Sequence, residues 1–97
     1  MNREEHQVLI WGAGKIGRGF AAEIFFKAGY GITFCVSRKE LADNLKNQGS
    51  YTIHNVHGDG RREDLVISGY EVCHIEEKGF IIDKLAECEV VIISVFP

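Results

Sequence analysis

Near its start the chain reads Val8-Leu9-Ile10-Trp11-Gly12-Ala13-Gly14-Lys15-Ile16-Gly17. This order predicts a strand, a phosphate-binding turn and the beginning of a helix. In a dinucleotide site of this kind, Gly12 permits the tight turn, Gly14 lets the backbone approach a pyrophosphate, and Gly17 lets the helix pack closely on the strand. Free backbone N–H groups and the positive end of the helix dipole then favour a diphosphate. The alternative is a purely structural turn, because a chain with eleven glycines can produce this spacing by chance.

The residues after the glycines continue a strand–helix–strand pattern. Ile16, Phe20 and Ile24 recur every four residues and predict the apolar face of a helix that stops at Gly29. The apolar run 32–36 then predicts a second strand. The whole unit fits the roughly 30-residue span of a nucleotide-binding βαβ unit, which favours a dinucleotide site over a structural turn.

Local interactions are predicted on both helices of this half of the chain. Glu23 and Lys27 lie four residues apart and predict an exposed ion pair. Ser37 and Glu40 have the spacing of a capping box, in which the serine hydroxyl accepts from the first-turn backbone and the glutamate reaches back. The helix that this box would start is predicted to end at Gly49.

The remainder of the chain predicts a hairpin and then a strand, a helix and a strand. Residues 51–57 and 65–68 form the arms of the hairpin, joined through a Gly-Asp-Gly turn and a charged segment. A strand at 71–75 and a helix at about 80–87 come next, and the apolar run 90–95 predicts a central parallel strand buried on both faces. Right-handed crossovers give an α/β, Rossmann-like, mostly parallel sheet of order 3-2-1-4, with a nucleotide at the carboxyl ends of the strands.

Composition limits the classes of function. The 97 residues form one domain at most, short for a complete Rossmann sheet with a substrate domain, so we expect a truncated dinucleotide-binding domain over 1–97. The net charge of −3 argues against a nucleic-acid-binding surface. The polar start predicts no secretory signal, and no apolar stretch reaches the roughly 20 residues of a membrane helix. We expect neither nucleic acid nor membrane as a partner.

The cysteines and histidines predict neither disulfides nor a metal site. An odd number of cysteines without a CxxC pair favours reduced thiols in the cytoplasm; they are Cys35, Cys73 and Cys88. Cys35 lies inside an apolar strand pattern, which favours buried packing over catalysis. His54 and His57 are three residues apart on a strand, so their rings point to opposite faces and make poor joint ligands.

Longer motifs resemble one family. Residues 12–20 read GAGKIGRGF and are similar to that family's GAGxIGRGF start, and the similarity continues through Ala28-Gly29 and Ile32-Thr33-Phe34. Residues 50–54, SYTIH, resemble its S-Y-x-V-H segment, and 95–97, VFP, stand where its V-G-P turn is expected. On these residues the chain resembles the amino-terminal domain of the mannitol dehydrogenase family.

The resemblance implies an oxidoreductase domain. Enzymes of that family interconvert an alcohol and a ketose by hydride transfer between a nicotinamide cofactor and a polyol or polyol phosphate. Their catalytic lysine lies in a carboxyl-terminal helical domain, so we assign no catalytic residue within 1–97. Two alternatives remain: a stand-alone nucleotide-binding or interaction module that self-associates through a sheet edge or an uncovered face, and an NADP-dependent reductase of another Rossmann family.

The choice between NAD and NADP depends on the end of the second strand. Where an acidic residue commonly binds the adenosine ribose, this chain has Val36, followed by Ser37, Arg38 and Lys39. A guanidinium there pairs with a 2′-phosphate, which favours NADP modestly, although the resemblance implies NAD. The alternative makes Ser37 only a helix cap and Arg38 only a solvated residue.

The remaining candidates surround the glycine turn. Arg18 lies close to where a diphosphate would bind, or else is an exposed helix residue, and Lys15 either approaches phosphate or points into solvent. Phe96 stands where the family has a small glycine. Either the larger side chain narrows the cofactor site, or the difference reflects a flexible chain end. The predicted cofactor-binding residues are Gly12, Ala13, Gly14, Lys15, Ile16, Gly17, Arg18, Ser37 and Arg38.

Overall fold

A computed structural model describes residues 6–12 and 16–93 of the chain. Strands and helices alternate along it apart from three consecutive strands between residues 50 and 74, two of which form the predicted hairpin, so the α/β prediction is confirmed. The elements are β1 Gln7–Trp11, a π-helical segment Ile16–Ala21 that runs into α1 Ala22–Lys27, β2 Gly31–Val36, α2 Lys39–Gln48, β3 Ser50–Val56, β4 Arg62–Ser68, β5 Glu71–His74, α3 Lys78–Glu87 and β6 Val90–Ile93.

Four of the strands form one parallel sheet in the order β5-β2-β1-β6. This order confirms the predicted 3-2-1-4 arrangement, since β5 and β6 are the third and fourth parallel strands. In the register of the sheet Trp11 lies beside Cys35, and Val36 lies beside His74. The last residues of β1, β2 and β5 therefore meet at one edge, the carboxyl edge of the sheet.

Side chains alternate between the two faces of this sheet, and both faces of its central strands are covered. On one face α1, α2 and the β3–β4 hairpin pack over a buried cluster that includes Val8, Ile10 and Phe34. On the other face α3 covers a second cluster, Leu9, Cys35, Cys73 and Ile81. The central strands β1 and β2 thus read as nearly continuous apolar runs because neither of their faces meets water.

Within the described residues, the run predicted as a central strand at 90–95 is neither central nor buried on both faces, and its residues 94 and 95 lie outside the described part. β6 pairs with β1 and lies at the edge of the sheet formed by the described residues. Val91 is 42% exposed and Ile93 is 72% exposed. Apolar composition alone did not distinguish a central strand from an edge strand, because both can be rich in valine and isoleucine.

The predicted apolar face of the first helix is also wrong. Phe20 is 68% exposed and Ile24 is 49% exposed, whereas Ala21 and Ala22 are buried against the sheet. The two alanines let the helix backbone come close to the strands, and the next turn adds half-buried aromatic rings, Phe25 and Phe26. Apolar residues occupy most sides of this short helix, so their spacing did not identify the buried one.

The predicted ion pair on the first helix and the predicted glycines at the ends of the first two helices are confirmed. Glu23 and Lys27 form the expected ion pair at 3.1 Å, and Lys27 also pairs with Glu63 of β4 at 3.1 Å. Gly29 follows α1 with φ 87°, and Gly49 ends α2 with φ 71°. Both glycines adopt the left-handed conformation that terminates helices, as predicted.

The hairpin is present and forms a separate two-stranded sheet. Its register runs from Ser50 opposite Ser68 to Val56 opposite Arg62, so β4 begins earlier than predicted and includes most of the charged segment. Alternate side chains of the two strands face the core of the main sheet; they are Tyr51, Ile53, Leu65 and Ile67. Within the described ranges, no helix is long and apolar enough to cross a membrane.

Candidate functional site

The carboxyl edge of the sheet begins at Gly12, directly after β1. Its N–H donates a hydrogen bond to the carbonyl oxygen of Cys35 at 2.7 Å, and its φ is 95°. A side chain at this φ would be strained, so the turn requires glycine here. Ala13, Gly14 and Lys15 lie outside the described residues, and the described chain resumes at Ile16 as the first residue of the π-helical segment.

The π-helical segment contains Gly17 and Arg18. Such segments are uncommon and occur frequently at functional sites. Arg18 is half-buried, and its Nε is buried without a hydrogen-bond partner among the described residues. A surface pocket of about 360 Å³ lies beside it, lined by Arg18, Gly19, Tyr51, Thr52 and Ile53. The structure therefore places a cation beside the hairpin, in the segment that follows the glycine turn along the chain.

The hairpin contributes one direct contact to this region. The Tyr51 hydroxyl donates a hydrogen bond to the carbonyl oxygen of Arg18 at 2.7 Å. Burial raises the pKa of Tyr51, as does neighbouring Tyr70, while the charge of Arg18 acts in the opposite direction. Tyr51 is therefore a neutral hydrogen-bond donor under ordinary conditions, and the guanidinium of Arg18 lies close enough to influence it.

The predicted capping box at Ser37 is wrong. The N-cap of α2 is Arg38, with φ −100° and ψ 120°, and no side chain caps the helix. The first helical hydrogen bond runs from the Ala42 N–H to the Arg38 carbonyl at 3.1 Å. Because the helix starts one residue later than the motif requires, the exposed Ser37 precedes the cap and Glu40 occupies the second helical position.

The position of the usual ribose-binding acid is part of the core. Val36 is 1% exposed and packs in the cluster under α2 and the hairpin. Arg38 is exposed, and in the described part of the chain no carboxylate forms an ion pair with it. Its charge is thus available to an anion at the end of β2.

Sequence reasoning missed His74, the last residue of β5. Its Nε2 lies 2.9 Å from the carbonyl oxygen of Ser37, and its Nδ1 accepts from the Glu76 N–H at 3.2 Å. The signal was available, because the third parallel strand ends at the same edge as β1 and β2.

Two of the three cysteines are packed in the core. Cys35 and Cys73 are neighbours on β2 and β5, and both are fully buried under α3. Burial raises the pKa of the Cys35 thiol to about 12, with Cys73 adding to the shift. A thiol with this pKa is protonated and a weak nucleophile, which agrees with the prediction of buried packing.

The two hairpin histidines have separate carboxylate partners. His54 Nδ1 lies 2.8 Å from Asp64, and His57 Nε2 lies 3.3 Å from Glu63. In the ranges that the structure describes, no three His, Cys, Asp or Glu residues are grouped in a way that could hold a metal ion.

The opposite, amino edge of the sheet has a larger pocket of about 490 Å³, lined by Gln7, Gly31, Ile32, Gly69, Glu71, Lys84 and Glu87. Its cation, Lys84, already pairs with both Glu71 and Glu87. Two carboxylates around one ammonium leave this pocket with excess negative charge, which disfavours a diphosphate. The carboxyl edge differs in charge, since Arg38 lies there without a carboxylate partner among the described residues.

Known proteins resemble this chain along most of its length. Residues 6–95 match the family described as the mannitol dehydrogenase Rossmann domain. The mannitol-1-phosphate 5-dehydrogenase of Sclerotinia sclerotiorum is 32% identical over 91 residues, which cover 94% of this chain and 23% of that protein. The enzyme of the same name from Caldanaerobacter subterraneus subsp. tengcongensis is 32% identical over 89 residues, 92% of this chain and 22% of that protein. The one from Phaeosphaeria nodorum is 33% identical over 94 residues, 96% of this chain and 24% of that protein. The chain spans less than a quarter of the length of these relatives.

Proposed function

This chain belongs to the mannitol dehydrogenase family as its Rossmann domain, and we propose that it binds a nicotinamide dinucleotide at the carboxyl edge of the sheet. The observation that supports this best is Gly12. It follows β1 with a left-handed φ, bonds to the end of β2, and stands four residues before a helical segment. In dinucleotide-binding folds, the turn that joins the first strand to the first helix presents backbone N–H groups to the pyrophosphate, and the position of Gly12 at the start of such a turn supports the proposal.

The proposed reaction of the whole protein is hydride transfer between that cofactor and a polyol or polyol phosphate, giving a ketose. The relatives named above are mannitol-1-phosphate dehydrogenases, which supports this substrate class. The bound nicotinamide supplies the hydride donor or acceptor. The role of residues 1–97 is to hold the cofactor, and the groups that bind substrate and exchange its proton belong to the remainder of the protein.

We assign a modest preference for NADP to the turn after β2. Because Val36 stands where an acidic residue is usual, no carboxylate at this position repels a 2′-phosphate. The exposed Arg38 offers a cation at the same edge. Arg18 is assigned to the diphosphate on the other side of Gly12. The proposed location is the cytoplasm, where a buried free thiol such as Cys35 stays reduced.

Titration calorimetry with NAD and NADP tests the proposed function. The 97-residue chain should bind weakly, and Gly14→Val should abolish binding because its branched side chain occupies the path of the pyrophosphate. Gly58→Val is the matched control, since Gly58 lies in the hairpin turn with open space around it. The chain by itself should not oxidise mannitol 1-phosphate. Unchanged affinity in Gly14→Val would remove the glycine turn from the site.

The second candidate is an interaction module, and the exposed edge of β6 favours it. Val91 and Ile93 project from a strand that pairs on one side only among the described residues. Such edges pair with other chains. Sedimentation velocity should show concentration-dependent self-association that Ile93→Lys reduces, with Ile82→Lys on α3 as a control of similar exposure. A compact monomer at all concentrations would exclude this function.

A further inference from the structure

We propose that His74 is a positioning residue, which fixes the β2–α2 turn and thereby sets the preference of the site for a ribose with or without a 2′-phosphate. The turn consists of Ser37 and Arg38. The inference rests on the proposed function, because the turn affects affinity only if the cofactor's adenosine ribose lies against it.

Both ring nitrogens of His74 form hydrogen bonds. Nδ1 accepts a hydrogen bond from the Glu76 N–H at 3.2 Å. Nε2, which must then carry the proton of the neutral ring, donates to the Ser37 carbonyl oxygen at 2.9 Å. The two contacts together fix the tautomer and orientation of the ring, so the position of the Ser37 carbonyl is coupled to the turn that follows β5.

That second turn is itself well fixed. The His74 N–H donates to Oε2 of Glu77 at 2.6 Å, and the Ile75 N–H donates to the Val36 carbonyl at 3.0 Å. Lys46 of α2 lies 3.9 Å from the same carboxylate of Glu77. The β5–α3 turn is therefore joined to β2 on one side and to α2 on the other, and His74 lies between them.

The β2–α2 turn lacks a comparable support of its own. No side-chain cap closes the start of α2, and Ser37 is exposed. Within the described parts of the chain, the His74 ring is the side chain that hydrogen-bonds the backbone of this turn. Loss of the contact should leave the end of β2 in place, since the Ile75–Val36 hydrogen bond remains, but should free Ser37 and the side chain of Arg38.

Two substitutions separate the contacts. His74→Gln places an amide N–H near the position of Nε2 and retains donation to Ser37. His74→Asn places an amide oxygen near the position of Nδ1, retains the contact with Glu76 and loses the one with Ser37. Because both residues are small polar amides, their general effects on the fold should be similar.

The probes are 2′,5′-ADP and 5′-AMP, which differ by the 2′-phosphate, titrated calorimetrically into the 97-residue chain. The native chain should prefer 2′,5′-ADP. In His74→Gln the ratio of the two affinities should stay within about twofold of the native ratio. In His74→Asn the preference for 2′,5′-ADP should fall by about three- to tenfold, because the lost hydrogen bond orders a charged contact. General destabilisation of the fold would weaken the binding of both probes equally and would not change the ratio of their affinities.

The outcomes are distinct. An unchanged ratio in His74→Asn, with both probes still bound, overturns the role of His74 and leaves the proposed function intact. Equal losses of affinity for both probes in both variants would mean that His74 has only a structural role, and this result also overturns the inference. If neither probe binds the native chain, the proposed nucleotide site fails and the inference fails with it.

Discussion

The Tyr51 hydroxyl is hydrogen-bonded to the carbonyl oxygen of Arg18 at 2.7 Å, which joins the β3–β4 hairpin to the helix that follows the glycine turn. A second tyrosine makes a matching contact elsewhere: the Tyr70 hydroxyl donates to the Leu45 carbonyl of α2 at 2.8 Å. The two rings are neighbours, with centroids 5.7 Å apart. One contact supports the candidate site and the other supports only the fold.

Tyr51→Phe should therefore lower both stability and cofactor affinity. Loss of this partly buried hydrogen bond should reduce the free energy of unfolding by about 1 kcal/mol. Tyr70→Phe should cost about the same stability but leave the dissociation constant of the dinucleotide unchanged, since Leu45 is far along α2 from the turn. Urea unfolding and calorimetry measure the two quantities. A similar loss of affinity in both variants would contradict a specific role for the Tyr51–Arg18 contact.

Arg38→Ala should lower affinity for NADP and leave affinity for NAD nearly unchanged. A charge-assisted contact to phosphate is worth roughly 1.5–3 kcal/mol when desolvated, and exposure at the start of α2 reduces this, so we expect a change of about three- to tenfold. The effect should diminish at high salt.

Arg61→Ala is the control for Arg38, because Arg61 is an exposed arginine in the hairpin turn, away from the carboxyl edge. Arg61→Ala should change neither the affinity for NAD nor the affinity for NADP. Equal affinities for NAD and NADP in the native chain, or an NADP preference that survives the loss of Arg38, would show that the 2′-phosphate assignment is wrong.

Stability should fall at alkaline pH, in part because of Cys35. Its thiol has an ordinary pKa of 9.0, and burial raises the pKa in the folded state to about 12. Between these values the unfolded chain releases a proton that the folded chain retains, so each rise in pH favours unfolding. The contribution is fully present below about pH 9 and is lost toward pH 12.

Cys35→Ala tests this dependence through the slope of unfolding free energy against pH, measured in reductant. The slopes of the two proteins should coincide below about pH 9, and above it the native chain should be steeper by up to about 1.4 kcal/mol per pH unit. Partly buried tyrosines whose pKa is raised by burial, such as Tyr51, add to the decline in both proteins. Identical slopes throughout would show that the thiol titrates normally.

Much of the sheet could be predicted because its signals are local. Gly12, Gly29 and Gly49 all require backbone conformations that few other residues adopt, and each stands at a turn where the sequence predicts one. Strand–helix alternation then restricts the order of the parallel strands through the handedness of the crossovers.

What could not be predicted depends on contacts between distant residues. The buried side of the first helix is set by Ala21 and Ala22 meeting the sheet, although Phe20 is far more hydrophobic. The start of α2 is displaced from the capping motif, and the Ser37 carbonyl is held by His74, 37 residues later. No short motif contains both residues of such a pair.

Amide chemical-shift mapping on the isotopically labelled chain, titrated with NADP, locates the nucleotide site residue by residue. The largest shifts should cluster around the carboxyl edge and the helical segment after the glycine turn, at Gly12, Gly17, Arg18, Ser37 and Arg38. Shifts confined to the pocket at the amino edge, at Gly31, Gly69, Glu71, Lys84 and Glu87, or the absence of any saturable shift, would contradict the proposed site.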